Sequence, residues 1–365
     1  MGARLAAFTM LWGAYSVASA QEAPTMTEPV EFPTRAVVEG VPRAGYDVHL
    51  CPFPGSLFAV LQFLGDPCDY DYIMGVTGAA FRRFWNRDDG GNVDLSYLGD
   101  EPFRLILGAL GYEWRKVPAE KEAMFQAIVE SIDRGVPAIS FGIIGPPEAG
   151  VVAGYDRNGQ LLYGWSYFQD QRDHYYEKRD WFETMEKGAG KGLIVLGAKV
   201  APRLSDREIV VASLRWAIDL ERTALRPCIP EHSTGLAAYD GWAGGLEVDA
   251  DYPADDPEVM GTRVMVHGDQ AVMLEERHSA AKFLRQMARV APEVAAHLNA
   301  AAALYDETAD MMGAIWLWGH SMGEDVRRGL GDAETRRGLA QAIREAKARE
   351  AQAVEYLEKA LVGLQ

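Results

Sequence analysis

Three cysteines stand in this chain, Cys51, Cys68 and Cys228, and the first has a setting that suits chemistry. Pro52 and Pro54 follow it, and Phe53, Leu57, Val60 and Leu64 recur at spacings of four, three and four, one face of a helix that Gly65 ends. Cys51 therefore opens a helix. Free backbone N–H groups and the helix dipole stabilise a thiolate at such a place, and a thiolate there is a candidate nucleophile. A buried apolar cysteine is the plainer alternative. As a nucleophile, Cys51 needs oxyanion donors, for which its own N–H and either Gln62 or an N–H of the preceding loop are candidates. It also needs a base. The imidazoles on offer are His49, two residues before it; His174, in a polar and aromatic segment; His232 and His267, flanking an acidic connection; and His278, one helical turn after Glu275.

Other chemistries have less support. There is no C-x-x-C, so a thiolate-built zinc site is not expected. Spacing alone permits a Cys51–Cys68 disulfide, and an odd cysteine count leaves at least one thiol without a partner in the chain. His267-Gly268-Asp269 and Glu275-x-x-His278 offer nitrogen and oxygen donors, but a di-iron bundle needs a second Glu-x-x-His element and the sequence has none. The acids Asp249, Asp251, Asp255, Asp256 and Glu258 do not have EF-hand spacing. No glycine-rich phosphate loop and no Gly-x-Ser-x-Gly elbow occurs. The reading calls for no metal and no cofactor.

Composition narrows the partners. The chain has 365 residues, 48% of them apolar and 24% charged, enough for a sizeable core. Its formal charge of −17, with no run of Lys and Arg, opposes binding to nucleic acid or to an anionic membrane. No segment has the length and purity of a membrane span, so stable membrane insertion is not expected. A small molecule or peptide is the expected partner, and oligomerisation is not legible. Arg4, the apolar run from Leu5 to Val17 and Ala18-Ser19-Ala20 fit a signal peptide cleaved after Ala20, which implies a secreted or periplasmic product.

The elements that must position Cys51 follow from periodicity. Residues 21–44 read as an extended arm. Residues 45–200 mix helix and strand: after the Cys51 helix come helices at Asp100–Leu110 and Ala119–Arg134, then strands at Val136–Ile143, Gly150–Tyr155, Gln160–Trp165 and Gly192–Val200, with a hairpin turn at 156–159. Residues 205–365 read as helical. They start at a capping box, Ser205 with Glu208, and resume at 270–290, 292–319 and 333–364 after a long loop at 228–262. The fold class expected is α+β, helices packed on an antiparallel sheet, followed by an all-helical domain.

The stretch His49-Leu50-Cys51-Pro52-Phe53-Pro54-Gly55-Ser56-Leu57, running to Leu64-Gly65, together with Gly150-Val151-Val152-Ala153-Gly154-Tyr155-Asp156, resembles papain-like domains of the C39 and butirosin-biosynthesis-protein-H type. The resemblance covers roughly residues 45–200 and implies a papain-like fold with Cys51 as nucleophile. It also implies a histidine just before the Val-Val-x-Gly-Tyr-Asp strand and an orienting Asp or Asn on the next one. Here the first position falls at Glu148 or Ala149 and the second near Gly164. With no imidazole there, the base must be Glu148 itself, if its pKa is well raised, or a histidine from elsewhere, His174 being the candidate. The surroundings expected to bind ligand are His49, Phe53, Trp165, Tyr167, His232 and His278, with Pro146-Pro147 shaping the pocket floor, Phe168 lining it and Tyr239 and Trp242 covering it.

Two functions stay open on the sequence. One is a cysteine-dependent hydrolase or acyltransferase acting on a small amide or peptide. The other is a catalytically degenerate papain-like protein in which Glu148 holds a cationic or hydroxyl-bearing ligand.

Overall fold

Pro52 at the first helical position costs the helix nothing, because the N–H that proline lacks would have no intrahelical acceptor there. With Cys51 as N-cap it starts α1, Pro52–Phe63. A short strand precedes it, β1, Ala36–Val37. The computed structural model describes residues 34–88, 94–187, 191–202, 204–315 and 324–365. The leader expected at residues 1–20 and most of the arm lie outside the described residues.

After α1 come α2, Tyr70–Val76, capped by Asp69 accepting the Tyr72 N–H, and a short strand, β2, Phe84–Trp85. Next are α3, Glu101–Leu110; β3, Tyr112–Val117; α4, Lys121–Asp133; β4, Ala138–Phe141; β5, Ala149–Asp156; β6, Leu161–Trp165; β7, Tyr176–Arg179; α5, Glu183–Glu186; and β8, Gly192–Lys199. They build an open seven-stranded antiparallel sheet in the order β3-β8-β4-β5-β6-β7, with β1 pairing β5. Helix α1 packs on β4 and β5. The turn between β5 and β6 places Arg157, Asn158 and Gly159 at positive φ, as Asn-Gly in a hairpin requires.

The rest is largely helical: α6, Asp206–Arg222; β9, Ser233–Thr234, paired with β2; α7, Leu236–Leu246; α8, Pro257–Glu275; α9, Arg277–Val290; α10, Ala295–Asp310; α11, Met312–Ile315; α12, Glu324–Gly331; and α13, Ala333–Gly363. The capping box at Ser205 and Glu208 is formed, with both reciprocal bonds present. No helix of the described residues is long and apolar enough to cross a membrane.

Several elements differ from the sequence reading. The stretch 228–262 is not a continuous loop, because α7 occupies its middle and α8 begins within it. Its glycines made it read as a loop with a helix-like pattern only at residues 235–242, yet Gly241 and Gly245 serve packing. A Cβ at these positions would stand 2.3 and 2.8 Å from the Trp85 ring, so only glycine lets α7 lie on that indole. The helix expected at 270–290 is two helices, the first starting at Pro257 under an Asp256 cap. Helix α2 and strands β3 and β7 had no sequence reading. β3 is an edge strand with exposed charges along much of its length, so it carries little apolar signal.

A buried guanidinium ties the two regions together. Arg277, at the head of α9, donates to the carbonyls of Ala80 and Arg82, at 2.9 Å each, and of Phe81 at 3.2 Å. Its Nε lies 3.0 Å from each carboxylate oxygen of Glu350 on α13, and Glu221 on α6 is 3.5 Å away. One apolar core accordingly includes residues of α1, the sheet, α9, α10 and α13.

Candidate functional site

Cys51 is the meeting point of several elements. Its side chain is buried, 2% exposed, at the head of α1. Two tyrosines bracket its backbone: the Cys51 N–H donates to Tyr70 Oη at 3.2 Å, and Tyr167 Oη donates to the Cys51 carbonyl at 3.4 Å. Gly55 makes the second contact feasible, since a Cβ there would lie 2.0 Å from Tyr167 Oη. Tyr46 stands edge-on to Tyr167, ring centroids 4.9 Å apart, and donates to Glu148 Oε2 at 2.9 Å.

The charges around the thiol come from both regions. Arg82, in the loop after α2, forms a 2.6 Å ion pair with Glu276, in the joint between α8 and α9, and both side chains are almost fully buried. Asp94 accepts the Ser96 N–H at 2.7 Å and the Ala149 N–H at 3.4 Å, which fixes it against the start of β5. Burial pushes the Cys51 thiol well above its ordinary range; Arg82 works against this, while Glu276, Asp94 and Glu148 add to it. Burial also raises Glu148 to about 7, with the negative charges of Asp94 and Asp269 adding to the rise and the Tyr46 hydroxyl and Arg82 opposing it. At neutral pH the centre thus holds an un-ionised thiol beside a carboxyl poised between its two forms.

Of the expected catalytic residues, the structure gathers Cys51 and Glu148 in one electrostatic neighbourhood. His174 does not belong to it. Its side chain is 61% exposed and pairs with the adjacent Asp173 at 2.8 Å, in a surface groove lined also by Arg35, Tyr163 and Glu177. Gln62 is exposed on the last turn of α1, roughly 15 Å of helix away from Cys51, too far to share an oxyanion. The Cys51 N–H, the other expected oxyanion donor, is engaged by Tyr70. Gly164 is glycine for a packing reason: a Cβ there would be 1.8 Å from the Val151 carbonyl oxygen, so the strand pairing leaves no room for an orienting Asp or Asn.

The expected ligand-binding residues divide. Tyr167 is in the site. His49 is beside it, stacked on Tyr70 with ring centroids 3.8 Å apart, and burial lowers its pKa. His278 lines the same cavity as His49 and leans on Asp306 at 3.2 Å; the side chain of Glu275, its expected partner, lies outside the described residues. Phe53 is core, fully buried against Phe103 and Phe141, because the first turn of α1 turns that ring toward the sheet. Trp165 is buried too, its indole N–H held by the Val41 carbonyl at 2.8 Å, so it pins the arm rather than the cleft. His232 is buried in the turn before β9. Tyr239 and Trp242 do not cover the cleft; they lie beneath the Arg83 guanidinium, 4.1 Å from the Tyr239 ring.

The metal candidates have other partners. His267 Nδ1 accepts the Trp242 indole N–H, which leaves Nε2–H to donate to the Ile315 carbonyl at 2.8 Å. Burial lowers its pKa to about 4, so it is neutral. Asp249 pairs with Arg336 and Asp251 with Arg87. Among the described residues no group of three or more His, Cys, Asp or Glu side chains is placed to hold a metal ion. All three cysteines are free thiols, so no Cys51–Cys68 disulfide forms.

Sequence reasoning missed Tyr46, Tyr70, Arg82, Asp94 and Glu276. One signal was present. Arg82-Arg83 interrupts the apolar stretch Val76–Trp85, and Glu276-Arg277 interrupts another between two helices. Charges embedded in apolar sequence are buried with partners or not at all. No protein-family model matches this chain, and no curated protein matches it.

Proposed function

We propose that the Cys51 centre is a binding site for a small amine, built on a papain-like layout whose nucleophilic chemistry has been lost. One observation carries this reading: the charges that act most on the Cys51 thiol are the three acids Glu276, Asp94 and Glu148 and the guanidinium of Arg82, which is already paired to Glu276. Such a centre favours a positive ligand and disfavours a thiolate. Helix α1, headed by Cys51 and packed on β4 and β5, agrees with the resemblance to papain-like domains, and Glu148 at the expected histidine position gives that layout a cation acceptor in place of a base. An ammonium group beside Glu148 draws its carboxyl into the ionised form, so binding below about pH 7 releases a proton.

Calorimetric titration with 1,4-diaminobutane tests this. Affinity should rise between about pH 5 and pH 8, with proton release seen in buffers of different ionisation enthalpy, and Glu148→Gln should weaken binding by about tenfold or more. Binding that ignores both pH and this substitution, or no binding at all, contradicts it.

A second reading is favoured by the Glu148 pKa itself. A carboxylate near pH 7 suits a general base. In that reading Glu148 takes the Cys51 proton as sulfur adds to the carbonyl of a small amide or thioester. The proton then passes to the leaving amine or thiol, and water or an acceptor amine releases the acyl group. The reactivity of Cys51 separates the two readings.

A further inference from the structure

The Tyr70 ring does two things at once. Its hydroxyl accepts the Cys51 N–H at 3.2 Å, and its ring, stacked on His49, lines a cavity of about 600 Å³ between α2, α9 and the segment before α1. Leu50, the chain neighbour of Cys51, lines the same cavity. So does Glu276, whose carboxylate reaches Arg82 on the thiol side. Tyr70 thus spans from the cavity to the backbone of Cys51. The cavity's volume falls in the range that holds a small ligand. Its lining joins apolar groups, Val48, Leu50 and Met74, with the polar Ser279 and Lys282 on α9.

We propose that this cavity is the antechamber of the Cys51 centre and that Tyr70 is its gate. The identity of the ligand rests on the amine reading above; the route does not. In the closed state Tyr70 occupies the Cys51 N–H at the head of α1, held by that hydrogen bond, the stack on His49 and an edge contact with Phe58. Rotation of its side chain into the cavity breaks these contacts, frees the Cys51 N–H and joins the two spaces. The ligand's apolar body then lies against Val48, Leu50 and Met74 while its charged end reaches the carboxylates beyond. The rival route passes Tyr46, which is 39% exposed above Glu148.

Labelling of the native protein with iodoacetamide, read at the Cys51 peptide and normalised to the exposed Cys228, decides between the routes. Ser279→Trp fills the antechamber from α9 and should slow Cys51 labelling about tenfold, whereas Tyr70→Ala should speed it by a similar factor. Tyr46→Ala, which removes a donor to Glu148 without opening the antechamber, should move the rate less than Tyr70→Ala does. Should Tyr70→Ala fail to fold, Ser279→Trp and Tyr46→Ala still decide. An unchanged rate in Ser279→Trp, or acceleration in Tyr46→Ala alone, overturns the gate. Diaminobutane titration of the unaltered protein is read separately, so failure of the route and failure of the amine reading are told apart.

Discussion

At the scale of single residues, Glu148 governs the pH behaviour. Its folded-state pKa, about 7, lies above the ordinary carboxylate value, so the native chain holds a proton that the unfolded chain has lost. The stability this contributes is complete below the unfolded pKa and is lost as pH rises through the folded one. Glu148→Gln should therefore gain stability relative to the parent between about pH 5 and pH 8, by on the order of 1–3 kcal/mol after allowance for partial exposure. Urea unfolding of both proteins at the two pH values checks this, and a difference that does not change with pH refutes it. Cys51 and Glu148 were legible as a pair because a resemblance and a helix start pointed to them. Tyr46, Tyr70 and Asp94 were not, because tyrosines and a loop aspartate acquire meaning only from neighbours distant in sequence. His174 illustrates the reverse: a polar, aromatic sequence context does not distinguish a lining residue from an exposed one such as this.

At the scale of elements, close backbone approach explains what the pattern could not. Gly55 admits Tyr167, Gly164 admits the β5 backbone, and Gly241 and Gly245 admit Trp85. In sequence Gly241 and Gly245 read as loop, and Gly55 and Gly164 as places with no side chain inside a helix and a strand. The helix–helix joints depend on buried charge. Arg277 satisfies three carbonyls of the loop after α2 and the carboxylate of Glu350, whose pKa falls to about 2. Glu221, next to them, is pushed well above its ordinary range by burial and by Glu350, with which its carboxyl shares a hydrogen bond. These roles give opposite expectations. Arg277→Met should cost about 3–5 kcal/mol, because it strands a charged Glu350 in the core. Glu221→Gln should stay within about 1 kcal/mol, since it replaces a neutral acid by a neutral amide. Equal losses in urea unfolding would mean that both acids are ionised.

At the scale of the molecule, the α+β half followed by a helical half was legible, since period-two and period-3.6 patterns occupy different stretches of the chain. What the sequence hid is that the second half brings charge to the Cys51 neighbourhood of the first. Glu276 and Asp269 come from the helical region, and Arg82 reaches across to meet the former. Periodicity reports on one element at a time and carries no information on which distant charges will share a cavity. The account as a whole stands on a thiol kept un-ionised by burial, to which the carboxylates that both halves bring add. The pH profile of Cys51 alkylation in the native chain measures this most directly. The account predicts slow labelling, well behind Cys228, still rising above about pH 9 without a plateau. Rapid labelling of Cys51 at about pH 6 would reveal a stabilised thiolate and return the site to nucleophilic catalysis.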